Sequence, residues 1–156
     1  MEAALRTAVE KITGQTLENV DFTEVRGMEG VKEATYAAGD LQIKVAVASG
    51  TKNAKTLMEQ VKNGTSEYQF IEIMACPGGC INGGGQPIQH AVVHNFVDLK
   101  ARRAEALYSA DAMNPKRKSH ENEAIKELYS SFLGEPGSHK AHEILHTSYV
   151  ARKKYN

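Results

Sequence analysis

The sequence predicts an α/β fold, a mixed sheet containing a βαβ unit, followed by a helical carboxy-terminal tail. Three observations carry that prediction. Leu41, Ile43, Val45 and Val47 alternate with Gln42, Lys44 and Ala46, the two-residue period of a strand. Strand, helix and strand follow one another between Leu41 and Met74, and a crossover of that kind makes the two strands parallel. Beyond Pro87 the texture changes, and the apolar residues recur at helical spacing.

Taken in order, Met1 to about Lys11 reads as a helix with Ala4, Leu5, Ala8, Val9 and Ile12 on one stripe and Gly14 as its stop. No cap residue precedes it, which leads us to expect that the chain starts inside a larger protein. Asp21 to Val25 is expected to form a short strand, and Gly27 and Gly30 to bracket a turn. Val31–Tyr36 and Leu41–Ala48 read as a hairpin around Gly39-Asp40. Thr51–Lys62 is an amphipathic helix on Ala54, Leu57, Met58 and Val61, ended by Asn63-Gly64. Asn63-Gly64-Thr65 is a glycosylation sequon on paper, but a helix-ending turn is the simpler reading. In the tail, Asp98–Asp111 reads as a helix that ends before Asn114-Pro115. Ser119 is expected to cap the next, built on Ile125, Leu128, Tyr129, Phe132 and Leu133, with Glu121 and Glu123 in its first turn. Gly134 ends it, Pro136-Gly137 turns the chain, and Ser138 caps a last helix to about Tyr149.

The composition narrows the function classes. With 156 residues, 41% hydrophobic and 24% charged, the chain is of ordinary globular make-up and long enough for one buried core. Nineteen basic residues balance nineteen acidic ones, so no bulk field favours nucleic acid or an anionic membrane. No apolar run has the length of a membrane span, and the amino terminus lacks the basic-then-apolar order of a signal peptide. The two cysteines suit a reducing compartment.

Both cysteines fall in one stretch. Phe70-Ile71-Glu72-Ile73-Met74 has the look of a short buried strand, and it runs into Ala75-Cys76-Pro77-Gly78-Gly79-Cys80-Ile81-Asn82-Gly83-Gly84-Gly85-Gln86-Pro87. A strand that delivers a loop at its carboxyl end is where α/β folds place their sites. Two thiolates on a tight loop can hold one inorganic group, and glycines let backbone N–H groups approach its sulfurs. An iron–sulfur cluster, zinc, a disulfide and a turn with two inert thiols all remain open on spacing alone.

That stretch resembles the third cluster-binding signature of the iron-only (FeFe) hydrogenases. Glu2-Ala3-Ala4-Leu5-Arg6-Thr7, Val25-Arg26-Gly27 and Val31-Lys32-Glu33-Ala34 are similar to segments that precede it in the family. Arg117-Lys118-Ser119-His120-Glu121-Asn122 and the run from Phe132 to Glu143 resemble the family's small-subunit region. The resemblance covers essentially the whole chain, with residues 1–95 as the carboxy-terminal lobe of the two-lobed catalytic domain and residues 96–156 as the helical small-subunit-like region.

The resemblance implies reversible hydrogen chemistry at an H-cluster, a 4Fe-4S cubane bridged to a two-iron subcluster. It implies that Cys76 ligates the cubane, that Cys80 ligates it and bridges to the two-iron unit, and that Met74 packs its thioether against that unit. Two further ligands would come from an amino-terminal part not present here, since this chain holds only half of the four a cubane needs. The isolated chain is therefore expected to be inactive, to carry at most a labile cluster, and to self-associate through the face that the other lobe would cover. A ferredoxin-like electron carrier is the implied partner, and the fusion of both regions in one chain favours the cytoplasm. A sensory relative or an iron–sulfur assembly protein without hydrogen turnover is the other branch, and the Pro77-Gly78-Gly79 spelling beside Met74-Ala75 favours the catalytic one.

Three other features compete. His142-Glu143-Ile144-Leu145-His146 fits the zinc-hydrolase pattern H-E-x-x-H, yet no His, Asp or Glu follows to complete the site, and packing is the plainer reading. His139, three positions before His142, would allow at most a fortuitous surface metal site. Lys116-Arg117-Lys118 reads as a solvated loop rather than a nucleic-acid patch, with docking of an acidic electron carrier open to it in the parent protein. Gly83-Gly84-Gly85 lacks the Lys-Ser/Thr of a phosphate loop, and Met28, Met58 and Met113 read as core or surface filler.

Overall fold

The computed structural model describes residues 1–27 and 29–153, so Met28 lies outside the described residues. Contacts group the chain into two compact units, residues 1–117 and a second that begins at Lys118.

In the first unit, α1 (Glu2–Thr13) precedes a hairpin of β1 (Val31–Ala38) and β2 (Leu41–Ser49), then α2 (Thr51–Lys62) and β3 (Phe70–Met74). The sheet order is β1-β2-β3, antiparallel for the first pair and parallel for the second, as the βαβ reading requires. Alternation along β2 sends Ile43, Val45 and Val47 to one face and Ala46 and Ala48 to the other. Leu57 of α2 packs on the alanine face. Leu5 and Val9 of α1, with Phe22 and Val25, cover the valine face. The small alanine side chains let α2 lie close, while the branched residues fill the deeper core.

Helix α2 ends as its sequence dictates. Gly64 is left-handed (φ 70°), its N–H reaches the Val61 carbonyl at 3.1 Å, and the Thr65 N–H reaches that of Gln60 at 2.9 Å. That pair of bonds is a Schellman motif, the helix-ending turn expected at Asn63-Gly64-Thr65. A short α3 (Ala91–Phe96) follows the cysteine loop, unforeseen because its six residues are too few for a periodicity to show. Ile88, ahead of α3, and Phe96, its last residue, stand 99% and 84% exposed. Asp98 then caps α4 (Leu99–Met113), its carboxylate accepting the Ala101 N–H at 3.0 Å.

Several expectations are corrected. Thr23–Val25 forms a 3-10 turn rather than a strand, with Phe22 and Val25 buried under the sheet. On α1 only Leu5 and Val9 of the predicted stripe are buried, Arg6 takes the third inward place, and Ile12 is half exposed. Met58 and Val61, expected on the apolar face of α2, lie at the surface. In the second unit Ser119–Glu121 is a separate 3-10 turn, and Asn122 caps α5 (Glu123–Leu128) by accepting the Ala124 N–H at 3.0 Å. Residues Tyr129–Leu133 continue as a π turn closed by the Gly134 N–H on the Tyr129 carbonyl at 2.7 Å. Ser138 does cap α6 (His139–Leu145), but the helix stops four residues before Tyr149. No described helix is long and apolar enough to cross a membrane.

Arg6 is buried because every arm of its guanidinium is used. Nε donates to the Val20 carbonyl at 2.7 Å, Nη1 to Asp111 at 2.8 Å and to the Arg117 carbonyl at 2.8 Å, and Nη2 to Asp111 at 2.9 Å. Arg117 in turn donates to Asp111 at 2.6 Å and to Asp21 at 2.7 Å, so it is an ion-pair partner rather than part of a solvated loop. Arg26 joins Glu2 at 2.6 Å and Asp21 at 2.8 Å, with its guanidinium 4.4 Å above the Tyr108 ring. The network ties α1, the segment around Asp21 and the carboxyl end of α4 together.

Hydrogen bonds from Arg6, then Arg117, hold the Asp111 carboxyl well below the usual carboxylate range, and hydrogen bonds from Arg117 and Arg26 lower that of Asp21. A lowered folded pKa means stability that is complete above the ordinary carboxylate pKa and lost as pH falls toward the folded value. The unfolding midpoint should therefore decline below about pH 4, and Asp111→Asn should flatten that acid limb while lowering stability at neutral pH. Arg6→Met, which leaves Asp111 to Arg117 alone and removes the donor to the Val20 and Arg117 carbonyls, should cost about 2 kcal/mol in urea unfolding.

Candidate metal centre

β3 ends at Met74, whose carbonyl accepts the Gly50 N–H at 2.8 Å, so the start of the cysteine loop is fastened to the turn between β2 and α2. Cys76-Pro77-Gly78-Gly79 is a tight turn in which the Gly79 N–H meets the Cys76 carbonyl at 2.9 Å. Gly78 has φ 81° and ψ 0°, the third-residue geometry of a type II turn, with proline in the second place. Gly79–Asn82 follows as a 3-10 turn, closed by the Gly83 N–H on the Cys80 carbonyl at 3.2 Å. These two amides are spent on the turn itself, so the expectation that the glycines free N–H groups for a ligand does not hold for Gly79 and Gly83.

Both cysteines are free thiols, Cys76 half-buried and Cys80 exposed, which removes the disulfide reading. They share one neighbourhood: a Cβ placed on Gly83 would lie 3.8 Å from Cys76 Sγ and 3.9 Å from Cys80 Cα. A Cβ on Gly79, left-handed at φ +76°, would stand 2.7 Å from Met74 Sδ. Glycine there is what lets the Met74 thioether lie against the loop between the two cysteines. Cys76, Cys80 and Met74 are the site residues expected from the sequence, and the fold gathers all three at one strand end.

Met74, Gly78, Gly79, Cys80 and Ile81 form one end of a cleft of about 380 Å³, and Val47, Ala104, Leu107 and Tyr108 supply its further walls. Two charged residues on its floor escaped the sequence reading. Lys32, Val47 and Glu72 are aligned neighbours across the three strands, and both charged members line the cleft. Lys32 is buried, donates to the Gly27 carbonyl at 3.1 Å, and has its pKa lowered by that burial. Glu72 accepts from the Met1 amino group at 2.9 Å. The available signal was phase: Lys32 stands in register with the inward-facing Ala34 and Ala38 of β1. Ser49, aligned with Met74, adds a buried hydroxyl with no hydrogen-bond partner among the described residues.

The donor set fits half of a thiolate-held iron–sulfur cluster. Two free, accessible thiols stand at the tip of a fixed strand, and a soft thioether and a largely apolar cleft stand beside them. Among the described residues no third His, Cys, Asp or Glu brings a ligand atom to the pair, which argues against a complete zinc site within this chain. The H-E-x-x-H segment does not make one either. Helix α6 ends before His146, whose ring stacks on that of His142 with centroids 4.2 Å apart.

Gly79→Ala would force both a left-handed alanine and a displaced Met74 thioether. We expect a loss of about 1–2 kcal/mol in thermal or urea unfolding. Met74→Ala should relieve the steric part, so the double variant should be more stable than the sum of the single losses indicates.

Comparison with known proteins places this geometry in a family. Residues 1–84 match the family described as iron only hydrogenase large subunit, C-terminal domain, and residues 97–152 match iron hydrogenase small subunit. The chain is 50% identical over 154 residues to the NADP-reducing hydrogenase subunit HndD of Solidesulfovibrio fructosivorans, across 99% of this chain and 26% of that protein. It is 35% identical over 146 residues to the cytosolic Fe-S cluster assembly factor narfl of Danio rerio, across 94% of this chain and 32% of that protein. It therefore spans a quarter to a third of the length of these curated relatives. A solved structure of FeFe-hydrogenase HydA1 from Chlamydomonas reinhardtii superposes with a TM-score of 0.71 at 40% identity, covering 96% of this chain and 43% of that one. Its mixed α/β architecture is thus the architecture of that hydrogenase domain. With just over half its length matched, and with Met74, Cys76 and Cys80 all inside the matched span, the chain belongs to the iron-only hydrogenase family, as a carboxy-terminal portion of the large chain.

Proposed function

We propose that this chain is the carboxy-terminal part of an iron hydrogenase that interconverts dihydrogen with protons and electrons, exchanging the electrons with a ferredoxin-like carrier. The observation that carries the reading is a glycine-cradled loop that bears two free thiols directly after the Met74 thioether at the end of β3, with Met74 and Cys80 lining the cleft. In this reading residues 1–95 form the lobe that presents the loop, and residues 96–156 form the small-subunit-like region.

Cys76 would ligate a 4Fe-4S cubane, and Cys80 would ligate it and bridge to a two-iron subcluster, together the H-cluster. That group supplies the redox-active metal chemistry when bound. The chain's own residues then have separable tasks. Cys76 and Cys80 furnish thiolate charge and fix the group's orientation. Met74 offers a polarisable apolar surface that excludes water on one side. Leu107, Ala104 and Val47 keep the cleft largely apolar, while Lys32 and Glu72 set opposite charges on its floor.

Two cysteines supply half of a cubane's usual ligands, so the remaining donors belong to polypeptide outside this chain. By itself the chain is expected to turn over no hydrogen and to expose the face that the rest of the protein covers, a route to self-association. Both family regions occur within one chain, which supports a single-polypeptide enzyme and hence the cytoplasm. A second reading, an iron–sulfur assembly protein without hydrogen turnover, is supported by the assembly-factor relative.

Infrared spectroscopy of the matured, intact protein separates the two. Bands of metal-bound carbon monoxide and cyanide, with hydrogen evolution abolished by Cys80→Ala, are the expected result. A cluster-loaded protein without those bands would leave the assembly reading. Hydrogen uptake sustained by the 156-residue chain alone would overturn the proposal that it needs further polypeptide.

A further inference from the structure

Gly83-Gly84-Gly85 follows closely on the second cysteine, and three consecutive glycines have the largest backbone freedom a chain can possess. Gly84 and Gly85 have open space where a side chain would be, so packing does not restrain them. Hydrogen bonds do. Arg103, half-buried on α4, donates from Nη1 to the Ile81 carbonyl at 3.0 Å and from Nη2 to the Pro87 carbonyl at 3.1 Å. One guanidinium thereby joins the two sides of the glycine run. Gln86 adds a donation from Nε2 to the Cys80 carbonyl at 3.1 Å.

We infer that Arg103 is a positioning residue for the metal centre, clamping both ends of the glycine run so that Cys80 keeps the orientation in which it shares a ligand with Cys76. The inference rests on the reading of those two cysteines as ligands. Arginine suits the task because its planar fork can hold two carbonyls at once, whereas a lysine ammonium is a point donor on a flexible stem. Ile81 is buried, so loss of the fork also leaves its carbonyl without that donor. Helix α4 is a firm anchor, since its other end carries Asp111, held by Arg6 and Arg117.

The test uses the purified chain with cadmium ion as a soft-metal probe. Ultraviolet thiolate-to-cadmium absorption counts the thiolates per ion, competition with a chelator gives the affinity, and amide hydrogen exchange reads the loop. The wild type should bind one cadmium through both thiols, and Cys76→Ala and Cys80→Ala should each show half the band. Arg103→Ala loses both hydrogen bonds to the loop and should bind about tenfold more weakly, as part of their worth passes into ordering the thiols. The Gly83 amide should exchange faster, while amides of β1 and β2 stay as protected as before. Arg103→Lys keeps the stem and one donor and should fall between, and it carries the comparison if the alanine variant does not fold. Equal band, affinity and exchange in wild type and both Arg103 variants overturn the clamp. A wild type that binds no better than Cys76→Ala overturns the ligand reading first, and the clamp's purpose with it.

Discussion

The paired guanidinium of Arg6 and carboxylate of Asp111 are the constraint on which the first unit depends. A buried cation is tolerated only when its donors are all matched, and here two carbonyls, the bidentate Asp111 carboxylate and the Glu2 carboxylate match all five. The pair joins residues 105 positions apart, so it fixes α4 against α1 across most of the unit's length. With α4 fixed, Tyr108 and Leu107 wall the cleft and Arg103 reaches the cysteine loop. A mixed sheet of three strands would by itself leave that loop held from the β3 side alone.

The loop shows a division of labour between stiffness and freedom. Pro77 and the type II turn at Gly78 set the direction of the chain at Cys76, and the 3-10 turn sets it at Cys80. Glycine at 79 is required by contact, because Met74 Sδ occupies the space a side chain would take. Glycines 84 and 85 are not crowded, and their order comes from side chains that grip the segment from outside. An inorganic ligand with fixed bond lengths needs donors whose spread in position is small, which is the physical use of such gripping.

Much of the candidate site was legible because it is local. Cys76, Cys80 and Met74 lie within seven consecutive residues, and a strand followed by proline and glycine states its own geometry. Lys32, Glu72 and Arg103 were not legible. Their roles arise from strand register and from a helix that returns to the loop some twenty positions later. The short α3 and the separate turn at Ser119–Glu121 escaped for the opposite reason, too few residues for any period to emerge.

What the sequence determined alone was the mixed α/β character, the parallel crossover, the Asn63-Gly64 and Gly14 helix stops and the thiol pair, since each follows from neighbours in the chain. Tertiary structure decided the rest. The turn at Thr23–Val25 replaced a strand because Phe22 and Val25 are drawn under the sheet. Arg6 displaced Ile12 from the buried side of α1, because a fully bonded guanidinium can be buried where its distant partners stand ready. Periodicity records which residues avoid water on average, but only the folded chain shows which charges have found a partner inside.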